Sequence, residues 1–276
     1  LHETAGYDGY GINDLLVRLT PAQQNFALTN GPALHTTAGY DPYAINWLAK
    51  LTPAGQNFAL TNGRALHATA GYDAYAINWL GRLTPAEQSF ALTNGQKLHE
   101  TAGYDAYAIN ALAQATPAQR NFALTNGPKL HATAGYNGHA INNLAEATPA
   151  QRNFALTNGR KLHATAGYNG YAISRLARRT PAQRNFALTN GQELHATAGY
   201  DGHAINDLAI FSPAQQNFAL TNGQELHATA GYDGHAINDL ASFTPAQRNF
   251  ALTNGRALAA DGYDGHAINR LAASQT

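Results

Sequence analysis

Apolar and polar positions recur along this chain with a period of 32 residues. A representative unit, residues 212–243, reads SPAQQNFALTNGQELHATAGYDGHAINDLASF, and prolines at 21, 53, 85, 117, 149, 181, 213 and 245 hold the register. Ser212, Pro213 and Gln215 supply an N-cap, a proline at the first helical position and the glutamine of a capping box. They predict a helix A of about ten residues, closed at Asn222-Gly223, where both residue types tolerate the left-handed conformation. Residues 224–230 read as a second short helix, B, ended by Gly231. Asp233 caps a third, C, which runs to about Ala241 with Ala236, Ile237, Leu240 and Ala241 on one face. B and C forming one longer helix bent at the glycine is the alternative. Phe218 and Leu220 lie about 200° apart on a helix, so helix A is expected to bury both faces between its neighbours.

A β reading competes, because FALT-NGQE-LHAT can be written as a hairpin around Asn-Gly. The chain has a single valine, Val17, is rich in alanine and opens each unit with a helix-capping signature. That composition favours helix. The expected fold is all-α: a superhelical α-solenoid of tandem repeats with two to three short helices per unit. Residues 1–19 read as an N-terminal partial or capping repeat, 20–257 as eight tandem repeats and 258–276 as a C-terminal partial or capping repeat. One insertion near the front (Leu15-Leu16-Val17-Arg18) and one deletion near the end mark those caps. Short helices are marginal alone, so stability must come from stacking.

Charge and composition narrow the function. Lysine plus arginine equals aspartate plus glutamate at 17 each, and there is no cysteine or methionine. Disulfides and thiolate metal sites are excluded, and the electrostatic drive for nucleic-acid binding is missing over the whole chain. No apolar run is long enough for a membrane span. With no initiator methionine, residue 1 is read as a cut or processed end, and the compartment is left open.

One histidine recurs in helix B: His2, His35, His67, His99, His131, His163, His195 and His227. Packed helices sit roughly 8–10 Å apart, too far for consecutive imidazoles to share zinc, so the series is read as a structural ladder bridging polar groups such as the Asp233-type caps or Asn238-type amides. No metal and no cofactor is expected. A second ring series alternates between tyrosine and histidine: Tyr10, Tyr43, Tyr75, Tyr107, His139, Tyr171, His203, His235 and His266. It suits inter-repeat packing or a ligand-facing ladder. No nucleophile–base pair, phosphate loop or carboxylate pair stands out from the repeat, and a catalytic site is an asymmetric constellation. The chain is therefore read as non-enzymatic, with no catalytic residues.

Positions that change between units are the better binding candidates. Trp47 and Trp79, with Tyr43 and Tyr75, are expected to form an exposed aromatic patch. Arg175, Arg178 and Arg179 form the core of a locally basic stretch. The expected role is a binding or scaffold array for a protein or extended polymer, with affinity accumulated over repeats; a multivalent carbohydrate-binding protein is an alternative. A second alternative follows from Leu19-Thr20-Pro21, Gln23 and Thr29-Asn30-Gly31. These resemble the opening of a transcription-activator-like effector repeat over about 13 of 32 residues. That resemblance implies a DNA-binding array whose Asn-Gly pairs read thymine in the major groove.

Overall fold

The computed structural model describes residues 6–275. Among them are seventeen helices and no strand, packed in regular succession as an α-solenoid of repeats. Each unit pairs one long helix with one short one, as Pro53–Ala70 with Ala74–Leu80. Two compact units divide the chain: residues up to 131 with 137–145, and 132–136 with residues from 146 onward. Counted from Pro21, the eighth long helix, Pro245–Ala260, is followed by its own short helix, Gly265–Ala273. These two helices form the eighth pair. No described helix is long and apolar enough to cross a membrane.

Helices A and B are one helix, not two. Pro213–Ala230 runs without a break through Asn222 and Gly223, and the equivalent helices do the same. The reason is visible at Asn62-Gly63. The Asn62 amide donates to Phe58 O one turn back at 3.0 Å, within its own helix. Gly63 is buried, and a methyl there would meet Ile77 at 3.7 Å and Ala38 at 4.0 Å. It permits close helix approach and closes nothing. Even Pro32 and Pro128 lie inside such helices.

Termini follow the local chemistry. Thr84 Oγ1 accepts from Glu87 N at 3.4 Å while Glu87 Oε2 accepts from Thr84 N at 2.8 Å, a complete capping box. Long helices end at glycines such as Gly71, with φ of +63°, where Gly71 N–H and Tyr72 N–H both donate to Leu66 O. Asp73 then caps the short helix by accepting from Ala76 N at 2.7 Å. Short helices lack a left-handed glycine at their C-termini. Their last carbonyls are satisfied by the next long helix instead: Gln56 Nε2 donates to Ala49 O at 2.9 Å and to Leu51 O at 3.2 Å.

The core lies between the two helix layers. Ala76, Ile77 and Leu80 of the short helix are fully buried, as are Ala59, Leu66 and Ala70 of the long one to within a few per cent. The expectation that both faces of helix A are covered fails. Leu60 is 42% exposed and Leu220 40%, because the long helix buries one side, which in Pro53–Ala70 carries Gly55, Phe58, Ala59, Gly63, Leu66 and Ala70.

The two glycines of a unit should respond oppositely to alanine. Gly63→Ala adds a methyl at ordinary contact distance and should raise stability by about 0.5–1 kcal/mol through helix propensity. Gly71→Ala forces a left-handed alanine beneath His99 and should lower it by about 1–2 kcal/mol. Denaturant midpoints followed by circular dichroism separate the two.

Candidate functional site

Three ladders link successive units, and the first was not anticipated from sequence. The tyrosine that follows each left-handed glycine is buried: Tyr40, Tyr72 and Tyr104 are at most 1% exposed. Its hydroxyl reaches the short helix of the next unit. Tyr40 donates to Asn78 Oδ1 and Tyr72 to Asn110 Oδ1, both at 3.1 Å. The same asparagine donates its amide backward, Asn78 Nδ2 to Ala44 O at 2.8 Å and Asn110 Nδ2 to Ala76 O at 2.9 Å. Tyr7–Asn46, Tyr104–Asn142, Tyr168–Asn206, Tyr200–Asn238 and Tyr232–Asn269 repeat the clasp. One unit departs: Ser174 stands where the others carry asparagine, and its hydroxyl is 3.5 Å from Tyr136 Oη. The signal in the sequence is that this tyrosine never alternates with histidine, whereas the ring three residues later does.

Histidine forms the second ladder. His35, His67, His99, His163, His195 and His227 each donate from Nδ1 to the carbonyl of the tyrosine five residues on, at 2.6–2.8 Å. The partner is neither an Asp cap nor an Asn amide. In the neutral ring this bond selects the Nδ1–H tautomer. Each ring also covers the left-handed glycine of the preceding unit: a methyl on Gly103 would lie 2.5 Å from His131 Cε1. Ala259 stands where the last histidine would be, and Gly231 correspondingly has nothing within 4 Å of such a methyl. His2 lies outside the described residues. Among the described residues no group of three or more His, Cys, Asp or Glu is placed to hold a metal.

The alternating ring series forms the third ladder. Tyr75 Oη donates to Asp41 at 3.2 Å and Tyr107 Oη to Asp73 at 3.3 Å, both carboxylates being N-caps one unit earlier. His139 Nε2 is 3.0 Å from Asp105 Oδ2. His235 and His266 approach Asp201 and Asp233 at 3.6 Å. Tyrosine and histidine interchange here because each carries a donor at the far tip of a flat ring. Opposite Asn169 the polarity reverses, and Asn169 Nδ2 donates to His203 Nε2 at 3.2 Å.

The proposed binding residues are placed as follows. Trp47 and Trp79 are half-buried and do not pair with each other. Trp47 packs on Tyr75 (centroids 5.7 Å, 50°) and Trp79 on Tyr107 (6.0 Å, 42°). Tyr43 is 47% exposed; desolvation, then the negative charge of Asp8 and Asp14, raises its pKa. Arg175, Arg178 and Arg179 stand in different environments. Arg175 ion-pairs with Asp207 at 2.7 Å, an exposed pair worth about 0–1 kcal/mol. Arg178 is exposed, while Arg179 is half-buried, its Nε buried without a hydrogen-bond partner. The Asn-Gly pairs lie within long helices, so no groove-facing turn is formed there.

The clasp yields two expectations. Asn78→Ala strands Tyr40 Oη and Ala44 O and should cost about 2–4 kcal/mol, while Ser174→Asn replaces the 3.5 Å contact to Tyr136 with the carboxamide of the other units and should add about 1 kcal/mol; denaturant unfolding measures both. Burial first, and then Asp14, pushes the Tyr7 hydroxyl up to about 12, and the other clasp tyrosines shift in the same direction. Unfolded tyrosine titrates near 10, so between these values the folded chain holds protons that the unfolded chain releases. Stability should be intact below about pH 10 and fall as pH rises toward 12; loss of helix and appearance of tyrosinate absorbance should coincide. No family model, curated protein or solved structure matches the chain.

Proposed function

We propose that the chain is a non-enzymatic binding array that takes a polypeptide partner along the exposed side of its short helices. What carries this reading is the division of labour among its side chains. The recurrent tyrosines, asparagines and histidines with chemical potential are engaged in bonds that hold unit to unit. The position just after each clasp asparagine, or after Ser174 where that asparagine is replaced, is free to vary and is not buried on any of these short helices: Trp47, Trp79, Ala111 and Asn143 in the first compact unit, Arg175, Asp207, Asp239 and Arg270 in the second. These positions recur at the same place on successive short helices, and Arg175 and Asp207 are in contact at 2.7 Å. Side chains along such a strip change without disturbing the stack, so they can select a partner by local chemistry while several weak contacts add up.

The DNA-reading alternative is not carried forward. Asn62 bonds within its own helix and Gly63 is buried, so neither is presented to a groove. With 17 positive against 17 negative side chains, little counterion release drives association.

The immobilised full chain should capture polypeptides from peptide arrays in preference to oligonucleotides and glycans. Trp47→Ala combined with Trp79→Ala should weaken capture at least about tenfold while leaving the helical spectrum unchanged, since aromatic anchors carry most interface energy. Unchanged capture by the double variant would remove the strip as the binding face. Capture confined to oligonucleotides, with a steep salt dependence, would reverse the partner class.

A further inference from the structure

Arg82 indicates what the aromatic strip can hold. Its guanidinium carbon lies 4.6 Å from the centroid of the Trp47 ring, which belongs to the preceding unit. Trp47 in turn packs on Tyr75, and Tyr75 is anchored through its hydroxyl on the Asp41 carboxylate. A guanidinium over an indole, with a carboxylate-anchored phenol beside it, is a favourable cation–π arrangement.

One unit further on, the receptor half recurs without its cation. Trp79 packs on Tyr107, and Tyr107 is anchored on Asp73. The residue that corresponds to Arg82 is Gln114, and its Nε2 donates to Asn110 O of its own helix at 3.3 Å. Among the described residues no cation lies over the Trp79 ring. Tyr107 is 40% exposed, so the open side of the pair faces solvent.

We propose that Trp79 and Tyr107 form a subsite for an arginine side chain of the polypeptide partner, filled from outside as Arg82 fills the Trp47 site from within. This deepens the reading of the chain as a polypeptide-binding array and rests on it. Charge complementarity supports a basic partner. The N-cap carboxylates Asp41, Asp73 and Asp105 are all exposed along this stretch. Of the basic side chains at the ends of these short helices, Arg18 is paired with Asp14 at 3.3 Å and Arg82 lies over Trp47, while Lys50 is exposed. Arginine fits better than lysine because a planar guanidinium stacks on an indole face and donates sideways to a carboxylate at once.

The two tryptophans make the site readable by fluorescence. In a Trp47→Phe background, emission comes from Trp79 alone, and the full chain is titrated with a synthetic (Gly-Arg)4 peptide at low salt. Saturable change of Trp79 emission is expected, with the citrulline counterpart binding at least about fivefold more weakly, in keeping with a desolvated cation–π contact. Gln114→Arg installs the internal guanidinium and should weaken the peptide by at least about fivefold at an unchanged thermal midpoint. Arg82→Gln, in a chain that keeps both tryptophans, should expose the Trp47 site and add a second binding event, a gain that misfolding cannot produce. Equal binding of the citrulline peptide, or indifference to both Gln114→Arg and Arg82→Gln, overturns the proposal. So does a concentration-dependent dimer abolished by Gln114→Arg, which would make the occupant a second copy of this chain. If the arginine peptide fails while array capture of other polypeptides persists, the subsite falls and the binding-array reading stands.

Discussion

The tyrosine–asparagine clasp is the constraint on which the rest of the structure depends. A phenol hydroxyl and a carboxamide, both buried, leave little room for alternatives: each must be paired or it destabilises the fold by about 1–3 kcal/mol. Asn78 satisfies this in one direction by accepting from Tyr40 and in the other by donating to Ala44 O. It therefore ties three points of two successive units. A slip of one residue in either helix would break both bonds, so the clasp fixes the register between neighbours. Apolar packing of alanine and leucine alone would tolerate sliding.

The parts of the fold that were legible in the sequence are those governed by neighbours along the chain. Thr84-Pro85 with Glu87, the Asp73 cap and the left-handed glycine at 71 announce helix ends because each bond closes within a few residues. Asn62-Gly63 misleads for the same reason. Its local chemistry is that of a terminator, and only Ile77 and Ala38, brought in by packing, turn the glycine into a contact point inside a helix. The clasp joins residues 38 apart, and the deciding fact, that both are buried, is not a property of either segment alone. Leu60 reads as core by residue type yet faces outward, since a helix in a two-layer stack buries one stripe and the remaining apolar positions stay at the surface. Of the candidate site, the tryptophans were legible as outliers against a regular background. Of their partners in the following units, Tyr75 was legible as part of the same patch and Tyr107 only as a member of the ring series.

The ring series itself shows how a repeat protein can vary without unstacking. Tyr107 over Asp73 and His139 over Asp105 place a donor at the same distance from the preceding cap, so the array accepts either ring. Asn169 changes the donor into the acceptor's partner, and His203 answers with its lone pair. What differs is the character of the surface beside the variable strip: phenols in the first four rings, imidazoles in most of the later ones. Chemical identity along the strip is thereby uncoupled from the geometry that supports it.

That uncoupling has a limit, set by the residue that follows each cap. Where it is glycine, as at 138, 170, 202 and 234, its N–H donates to the carbonyl of the left-handed glycine one unit earlier, at 3.0–3.3 Å. A methyl at Gly138 would lie 2.5 Å from the Tyr104 ring, so this close seating requires glycine. Ala74 and Ala106 make no such bond, and Pro42 has no N–H to give. The histidines record the same difference. A methyl on the left-handed glycine would stand 3.5 and 3.3 Å from the ring at Gly39 and Gly71, but 2.5–2.7 Å at Gly103, Gly135, Gly167 and Gly199. One methyl group thus sets how tightly each unit seats on its predecessor. The looser seating falls on the Trp47, Tyr75, Trp79 and Tyr107 stretch, where bulky rings from successive short helices have to be accommodated side by side.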